Sequence, residues 1–268
     1  MFYRSPHLRQ REDNPLKEKS SAIVVLTPAE SKRLIAKAVA QLPEVKGALQ
    51  KGKVIIGNGT TNAFVAEEIL GAQVPKVNYA AGIIANGELS VVPRQDRVNL
   101  IVLINGEEAD VSLEEALEGF GADDVFIKGA NAVDAQGNAG VVMANEVGGT
   151  IGKSLPILTA RGCHLIVPVG LEKLIPSVIE AANKCGISRF KRATGLAVGF
   201  MPLVSVKVVT EIQALEVLGG VTATHVASGG IDGSEGSVVM ALEGEEEVVA
   251  QAFELVKSIK GEAPVRLS

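Results

Sequence analysis

The sequence predicts an α/β fold: a largely parallel, doubly wound sheet with a small α+β lobe toward its C-terminal end. Three observations predict it. Short apolar runs with β character alternate with segments of helical apolar spacing, the pattern of a sheet covered by helices on both faces. Hydrophobic residues make up 47% of the chain but aromatics only 3%, with no Trp, so the core is built from Val, Ile, Leu and Ala. That suits α/β layers better than an aromatic-rich sandwich. From Val204 onward, strands and helices follow in the order βαββα, enough for a small lobe of their own. Length then suggests a charged arm over residues 1–22, a main α/β domain over 23–200 and the lobe over 201–268.

The first unit opens at Thr27-Pro-Ala-Glu30, where Thr27 caps, Pro28 fits the first helical turn and Glu30 closes a capping box. Leu34, Ile35, Ala38, Val39 and Leu42 then recur at helical spacing up to Pro43. Val54 to Ile56 is a buried strand, 57–61 the turn after it, and Ala63 to Leu70 a helix closed by Gly71. Val77 to Ile84 and Leu89 to Val92 flank Asn86-Gly87 as a hairpin, followed by a strand over Val98 to Ile104. Ser112 opens a short helix, and Val125 to Ile127 is the next strand. Thr150 to Ala160 has helical character that Pro156 is expected to kink or break. A strand over Leu165 to Val169 and a helix over Ser177 to Cys185 complete the main domain. The lobe has strands at Val204 to Val209, Thr222 to Ala227 and Ser237 to Leu242, a helix over Glu211 to Leu218, and a final helix. The final helix carries an apolar stripe through Val248, Val249, Ala252, Phe253, Val256 and Ile259, with Glu245 to Glu247 at its positive end.

Composition excludes several classes. A formal net charge of −5 argues against a nonspecific nucleic-acid binder, which needs a basic face. No apolar run approaches the ~20 residues that cross a bilayer, so no membrane partner is expected. Cys163 and Cys185 form neither a CxxC pair nor a disulfide framework, which points to a reduced, cytoplasmic compartment. His164 and His225 are isolated in or beside apolar strands and read as structural, so no metal is expected. The arm, rich in Arg, Lys and Glu, has no apolar segment of the signal-peptide kind. The apolar hairpin within 77–105 favours a homo-oligomer, dimer or tetramer, because edge strands invite pairing.

Two segments carry candidate chemistry. Gly57-Asn58-Gly59-Thr60-Thr61 lies between a strand and a helix, where free N–H groups and the helix dipole favour an anion and the hydroxyls add donors. The same glycines also serve a plain tight turn. The loop matches neither a Walker A run nor a full GxGxxG fingerprint, and no cofactor is expected. The second segment, residues 123–134, runs from a buried strand into a loop of small residues. It presents Asn131 and Asp134 beside Gly129 at a strand tip, a common way to build a polar site. Other groups admit bland readings. The basic run Lys184, Arg189, Lys191 and Arg192 attracts phosphate or is a solvated face, and the loop 228–236 is a lid or a long hairpin connection.

Together these landmarks resemble the ribose-5-phosphate isomerase A family, within the wider group of sugar-phosphate isomerases and CoA transferases. Val54 to Thr61 is similar to the family's phosphate loop, and Val125 to Asp134 to its DGADE(V/I)D segment. Leu165 to Pro176 is similar to the strand entering its Ser-Lys-Leu-Val loop, and Met201 to Val209 to its Pro-Leu-Pro-Val-Glu-Val strand. The order is kept across roughly residues 30–255. The resemblance implies an isomerase-like sheet and a phosphorylated sugar or related metabolite as ligand. Its phosphate would lie on Asn58, Gly59, Thr60, Thr61 and Lys173, with Lys32 a further match, and its polar head near Asn131 and Asp134. The family's two DGAD aspartates align with Lys128 and Asn131, its K-G-G-G lysine has no counterpart at Val147 to Gly149, and no acid stands at 153–155. Proton transfer between C1 and C2 needs a carboxylate base, so the resemblance favours a binder or altered chemistry over isomerisation of ribose 5-phosphate. Asp134 and Glu146 are the remaining acid–base candidates. Two alternatives stand beside this: a CoA transferase-like enzyme using Glu146 as acyl nucleophile, and a non-catalytic regulatory or scaffolding protein.

Overall fold

The computed structural model describes residues 18–267; the greater part of the charged arm lies outside them. In chain order the elements are β1 (Lys19–Leu26), α1 (Pro28–Gln41), α2 (Pro43–Lys51), β2 (Lys53–Ile56), α3 (Thr60–Leu70), the hairpin β3 (Gly82–Ala85) and β4 (Glu88–Val91), β5 (Ile101–Ile104) and β6 (Glu107–Glu108). Then come α4 (Leu113–Leu117), β7 (Val125–Ile127), β8 (Ala132–Val133), β9 (Ala139–Met143), α5 (Gly149–Arg161), β10 (His164–Pro168) and α6 (Val178–Lys184). The chain closes with β11 (Gly199–Leu203), β12 (Lys207–Val209), α7 (Glu211–Gly219), β13 (Thr222–Gly229), β14 (Ser237–Glu245) and α8 (Glu246–Ser258).

The architecture is α/β with mixed sheets. The central sheet has the order β12-β10-β7-β2-β5-β6. Its strands β12, β10, β7 and β2 run parallel, while β5 is antiparallel to β2 and β6 to β5. The remaining sheets, β1-β14-β13, β11-β9-β8 and β3-β4, are antiparallel throughout. The expectation of a largely parallel sheet is therefore met only at the centre. The antiparallel turn comes at β5, because the chain returns from α3 through the hairpin rather than by a helical crossover.

Alternation along the short central strands divides the core in two. Val54, Ile56, Val125, Ile127 and Ile166 face a layer containing Leu34, Ile35, Phe64 and Val65 of α1 and α3. Ile55, Phe126, Leu165 and Val167 face the other way, onto Leu117, Phe120, Ile151 and Leu158. These strands are buried on both sides, which is why they read as unbroken apolar runs. The first core continues past α1 into the small sheet, through Leu215, Val238, Met240 and Val256.

Local signals hold well. Thr27 and Ser112 each form the reciprocal capping box with Glu30 and Glu115, worth about 1 kcal/mol apiece. Gly71 caps α3 at φ 66°, and Asn86-Gly87 makes the hairpin turn with both residues at positive φ, as a two-residue type I′ connection requires.

Three expectations are corrected. Residues 19–22, assigned to the arm by charge, belong to strand β1, which pairs with β14 over eight residues. The lobe thus takes its edge strand from the start of the chain. Lys207–Val209 conversely sits in the central sheet beside β10, and a turn with Ser205 at φ 56° separates it from β11. Helix α5 runs unbroken through Pro156. The cost of a mid-helix proline, about 3 kcal/mol, is offset by burial of Ile151 and Leu158 on the same helix, each contributing about 1.5–3 kcal/mol.

Candidate functional site

A cavity of about 840 Å³ opens where β2 and β7 end, within the size range of small-molecule sites. Carboxyl ends of parallel strands are where open α/β sheets usually bind ligands, since strands there give way to loops and helix N-termini. One wall is the loop Asn58 to Thr61 after β2, and the floor is Lys128 to Asn131 after β7. The hairpin contributes Ile83, Ile84 and Leu89, and the far side is β9 with the start of α5. The hairpin is tied down over the cavity by the backbone bonds Leu89 N–H to Thr194 O (3.2 Å) and Leu196 N–H to Leu89 O (2.9 Å). Gly195 permits this approach: at φ 81° a Cβ there would lie 2.1 Å from the Leu89 carbonyl oxygen.

Two helix N-termini meet at this cavity. Gly59 caps α3 without a side-chain hydrogen bond, so the Thr60, Thr61 and Asn62 N–H groups lack intrahelical partners. Gly149 and Thr150 at the start of α5 line the opposite side, where Asn145 Oδ1 accepts from the Val147 and Gly149 N–H groups. Both dipoles favour negative charge in the cavity.

The strongest electrostatic feature is a pair of lysines. Lys128 Nζ donates to Gly129 O at 3.1 Å and Lys173 Nζ to Ala130 O at 2.9 Å, so the two ammonium groups rest on successive carbonyls. Among the described residues neither forms an ion pair. Both side chains are partly accessible. Burial pushes Lys128 down to about 8, with the like charge of Lys173 adding to the shift. Lys173 is also lowered to about 8, by burial first and then by Lys32, against the opposing effect of Glu172 and Glu211. Neither ammonium has a salt-bridged carboxylate among the described residues, and a bound anion would relieve the cost of keeping both charged in one cavity. Arg94 and Arg97 add positive charge at the rim, against Asp110 and Glu114; the latter is paired with Lys153 at 2.6 Å.

The expected site residues divide into two groups. Asn58, Gly59, Thr60, Thr61, Asn131 and Lys173 all line the cavity. Asn58 Nδ2 holds the cavity wall through Val98 O at 3.0 Å, and Asn131 Oδ1 accepts from Val142 N–H at 3.0 Å, which leaves its Nδ2 as a donor. Lys32 is outside the lining and is neutralised by Glu172 at 2.8 Å. Asp134 and Glu146 do not line the cavity. Asp134 is buried, and its oxygens accept from the N–H groups of Gln136 (3.1 Å), Asn138 (3.0 Å) and Val178 (2.9 Å) and from Asn138 Nδ2 (3.2 Å). Burial would raise its carboxyl, but these donors, Val178 first, hold it below the usual range. It joins the β8–β9 turn to the start of α6, an anchoring role rather than proton transfer. Glu146 is exposed on the loop before α5. The basic run at 184–192 is also exposed and, like the loop 228–236, stands away from the cavity.

Sequence reasoning missed Lys128 as a site group, seeing it only as the loss of an acid. Its signal was a lysine directly after three fully buried strand residues. The α5 terminus was equally missed, although Gly148-Gly-Thr150 before a helix is the same kind of cue as the 57–61 loop. Glu211, fully buried, supports the site from behind. Its Oε2 accepts from Leu171 N–H at 2.9 Å and so fixes the turn that carries Lys173. Burial raises its carboxyl, opposed by Ser31 and the Leu171 N–H.

No family model, no curated protein and no solved structure matches this chain.

Proposed function

We propose that the protein binds a phosphorylated sugar or a related phosphorylated metabolite in this cavity. The observation that carries the reading is the pair Lys128 and Lys173, two ammonium groups without carboxylate partners among the described residues, in one cavity with the bare N-terminus of α3. The phosphate sits on the Thr60 and Thr61 N–H groups with the lysines as counter-charge, and Asn131 Nδ2 meets the polar remainder. The order of landmarks shared with ribose-5-phosphate isomerases supports the same ligand class and a related sheet. The chemistry differs from theirs: with Lys128 and Asn131 in the acid positions and Asp134 fully hydrogen-bonded, the cavity offers cations and amides rather than a carboxylate base. Neither the acyl-transfer reading through exposed Glu146 nor a purely scaffolding role accounts for two lysines in one cavity without salt-bridge partners among the described residues.

Calorimetric titration with inorganic phosphate, ribose 5-phosphate and unphosphorylated ribose tests the proposal. Binding of both phosphate compounds and not of ribose is expected, weakened at least tenfold in K173Q. Equal binding of ribose and its phosphate, or no response to any phosphate compound, would overturn it.

A further inference from the structure

We infer that Lys128 is a nucleophile: its side-chain amine condenses with the carbonyl carbon of a phosphorylated aldehyde or ketone held in the cavity, forming a Schiff base. The inference rests on the phosphate-binding reading and deepens it by naming a carbonyl as the ligand's second feature.

The geometry carries the argument. Lys128 stands at the tip of β7 and lines the cavity. Its stem lies against Gly57, where a Cβ would come within 3.1 Å of Lys128 Cδ. Amine and phosphate loop thus share one end of the cavity, since Gly57 begins the turn that ends at Thr60 and Thr61. The amine has one protein acceptor, Gly129 O, so its lone pair, once deprotonated, is not held in a protein hydrogen bond. Lys173 rests on the next carbonyl along the chain, and an amine beside a second cation in a desolvated site is one of the standard ways to obtain a neutral lysine. With its proton affinity lowered to about 8, Lys128 at pH 7.5 carries about two orders of magnitude more free amine than an ordinary lysine.

Lys128 rather than Lys173 is the nucleophile because of their charged neighbours. Lys173 has two carboxylates, Glu172 and Glu211, that favour its protonated form against burial and the larger effect of Lys32, whereas the charge acting on Lys128 is the cation Lys173. The other charged lining groups are Arg94, Arg97, Asp110 and the Glu114–Lys153 pair, whose charges offset one another. Lys173 is then the proton carrier. The neutral Nζ attacks the carbonyl carbon, a C–N bond forms, and the oxygen takes a proton from the Lys173 ammonium. The nitrogen returns one proton to Lys173, which then protonates the hydroxyl. Water leaves as the nitrogen lone pair forms C=N, so amine, carbonyl and one proton give an iminium ion and one water.

Pyridoxal 5′-phosphate, which carries an aldehyde and a phosphate ester, is the probe. The full chain is incubated with it at pH 7.5, reduced with borohydride and mapped by peptide mass spectrometry, while inorganic phosphate binding is measured separately. One adduct per chain at Lys128 is expected, formed at least tenfold more slowly in saturating phosphate. K128R keeps the cation and is expected to lose the adduct, while a circular dichroism melt like that of the wild type reports that it is folded. In K173Q the midpoint of the labelling pH profile is expected to move upward, a change that loss of a merely structural lysine would not produce. An adduct mapped to Lys173, or labels spread over surface lysines without protection by phosphate, overturns the inference. Phosphate binding without any adduct overturns it too and leaves the proposed function standing; absence of phosphate binding removes both.

Discussion

Asp134→Asn separates an anchoring carboxylate from a catalytic one. Oδ1 accepts from the Gln136 and Asn138 N–H groups, and Oδ2 from Val178 N–H and Asn138 Nδ2. Whichever way an asparagine amide is turned, its NH₂ faces two donors. Hydrogen bonds to a charged acceptor are worth about 1.5–3 kcal/mol each, so losing two costs about 3–6 kcal/mol, or roughly 10 °C in Tm for a chain of this size. Thermal unfolding followed by circular dichroism measures the loss, and calorimetry on the folded variant measures phosphate binding, expected to persist because Asp134 does not line the cavity. The pH dependence gives a second handle. A carboxyl held below its usual value in the folded state stabilises the fold above its unfolded pKa, about 3.9. That stability is lost as pH falls through the lower, folded value. The gap between wild type and Asp134→Asn should therefore close in acid. A variant with unchanged Tm that has lost ligand binding or turnover would refute the anchoring role and restore Asp134 to the chemistry.

The lysine pair implies a conflict between binding and stability. Because Lys128 titrates near 8 when folded and near 10.5 when unfolded, the unfolded chain holds more protons between these values and wild-type stability rises with pH across that window. K128M is expected to raise the Tm of the ligand-free protein at pH 7 by a few degrees, on the order of 1 kcal/mol, with the gain vanishing above pH 10.5; a lowered Tm at pH 7 would contradict a desolvated, unpaired ammonium. Phosphate affinity of the wild type is expected to fall as pH rises through about 8, read by calorimetry in buffers of equal ionic strength. Arg33 bonds Glu67 at 2.6 Å, Glu68 at 2.7 Å and Glu262 at 2.8 Å and lies over the Phe64 ring. R33A should cost about 3 kcal/mol in urea unfolding, because it removes one of the two cations paired with nearly buried Glu67 and leaves Lys76 and the Val74 N–H. Gly140 lies under the Phe200 ring, where a Cβ would be 2.0 Å from Cζ. G140A should cost about 2 kcal/mol or more, with a smaller further loss when combined with F200A than the single effects add up to.

The sequence by itself determined the local elements and half of the site. Capping boxes at Thr27 and Ser112, the Asn86-Gly87 turn and the apolar runs at 54–56 and 125–127 are specified by neighbouring residues, so they are legible in a string of letters. The 57–61 loop was legible for the same reason: a strand, glycines and threonines, then a helix. Tertiary structure alone decided the rest, because it depends on pairings between distant residues. Nothing near Lys19 to Leu26 announces that β14 will be its partner, and nothing in 207–209 says that these residues leave the lobe for the central sheet. Asp134 had the residue type and strand-tip position of a catalytic acid, but three backbone N–H groups, one of them from Val178, claim its oxygens. Lys128 gains its character only when the turn after β10, fixed by Glu211, brings Lys173 to the next carbonyl. A lysine's proton affinity is set by what surrounds its ammonium, and that is a property of the folded chain.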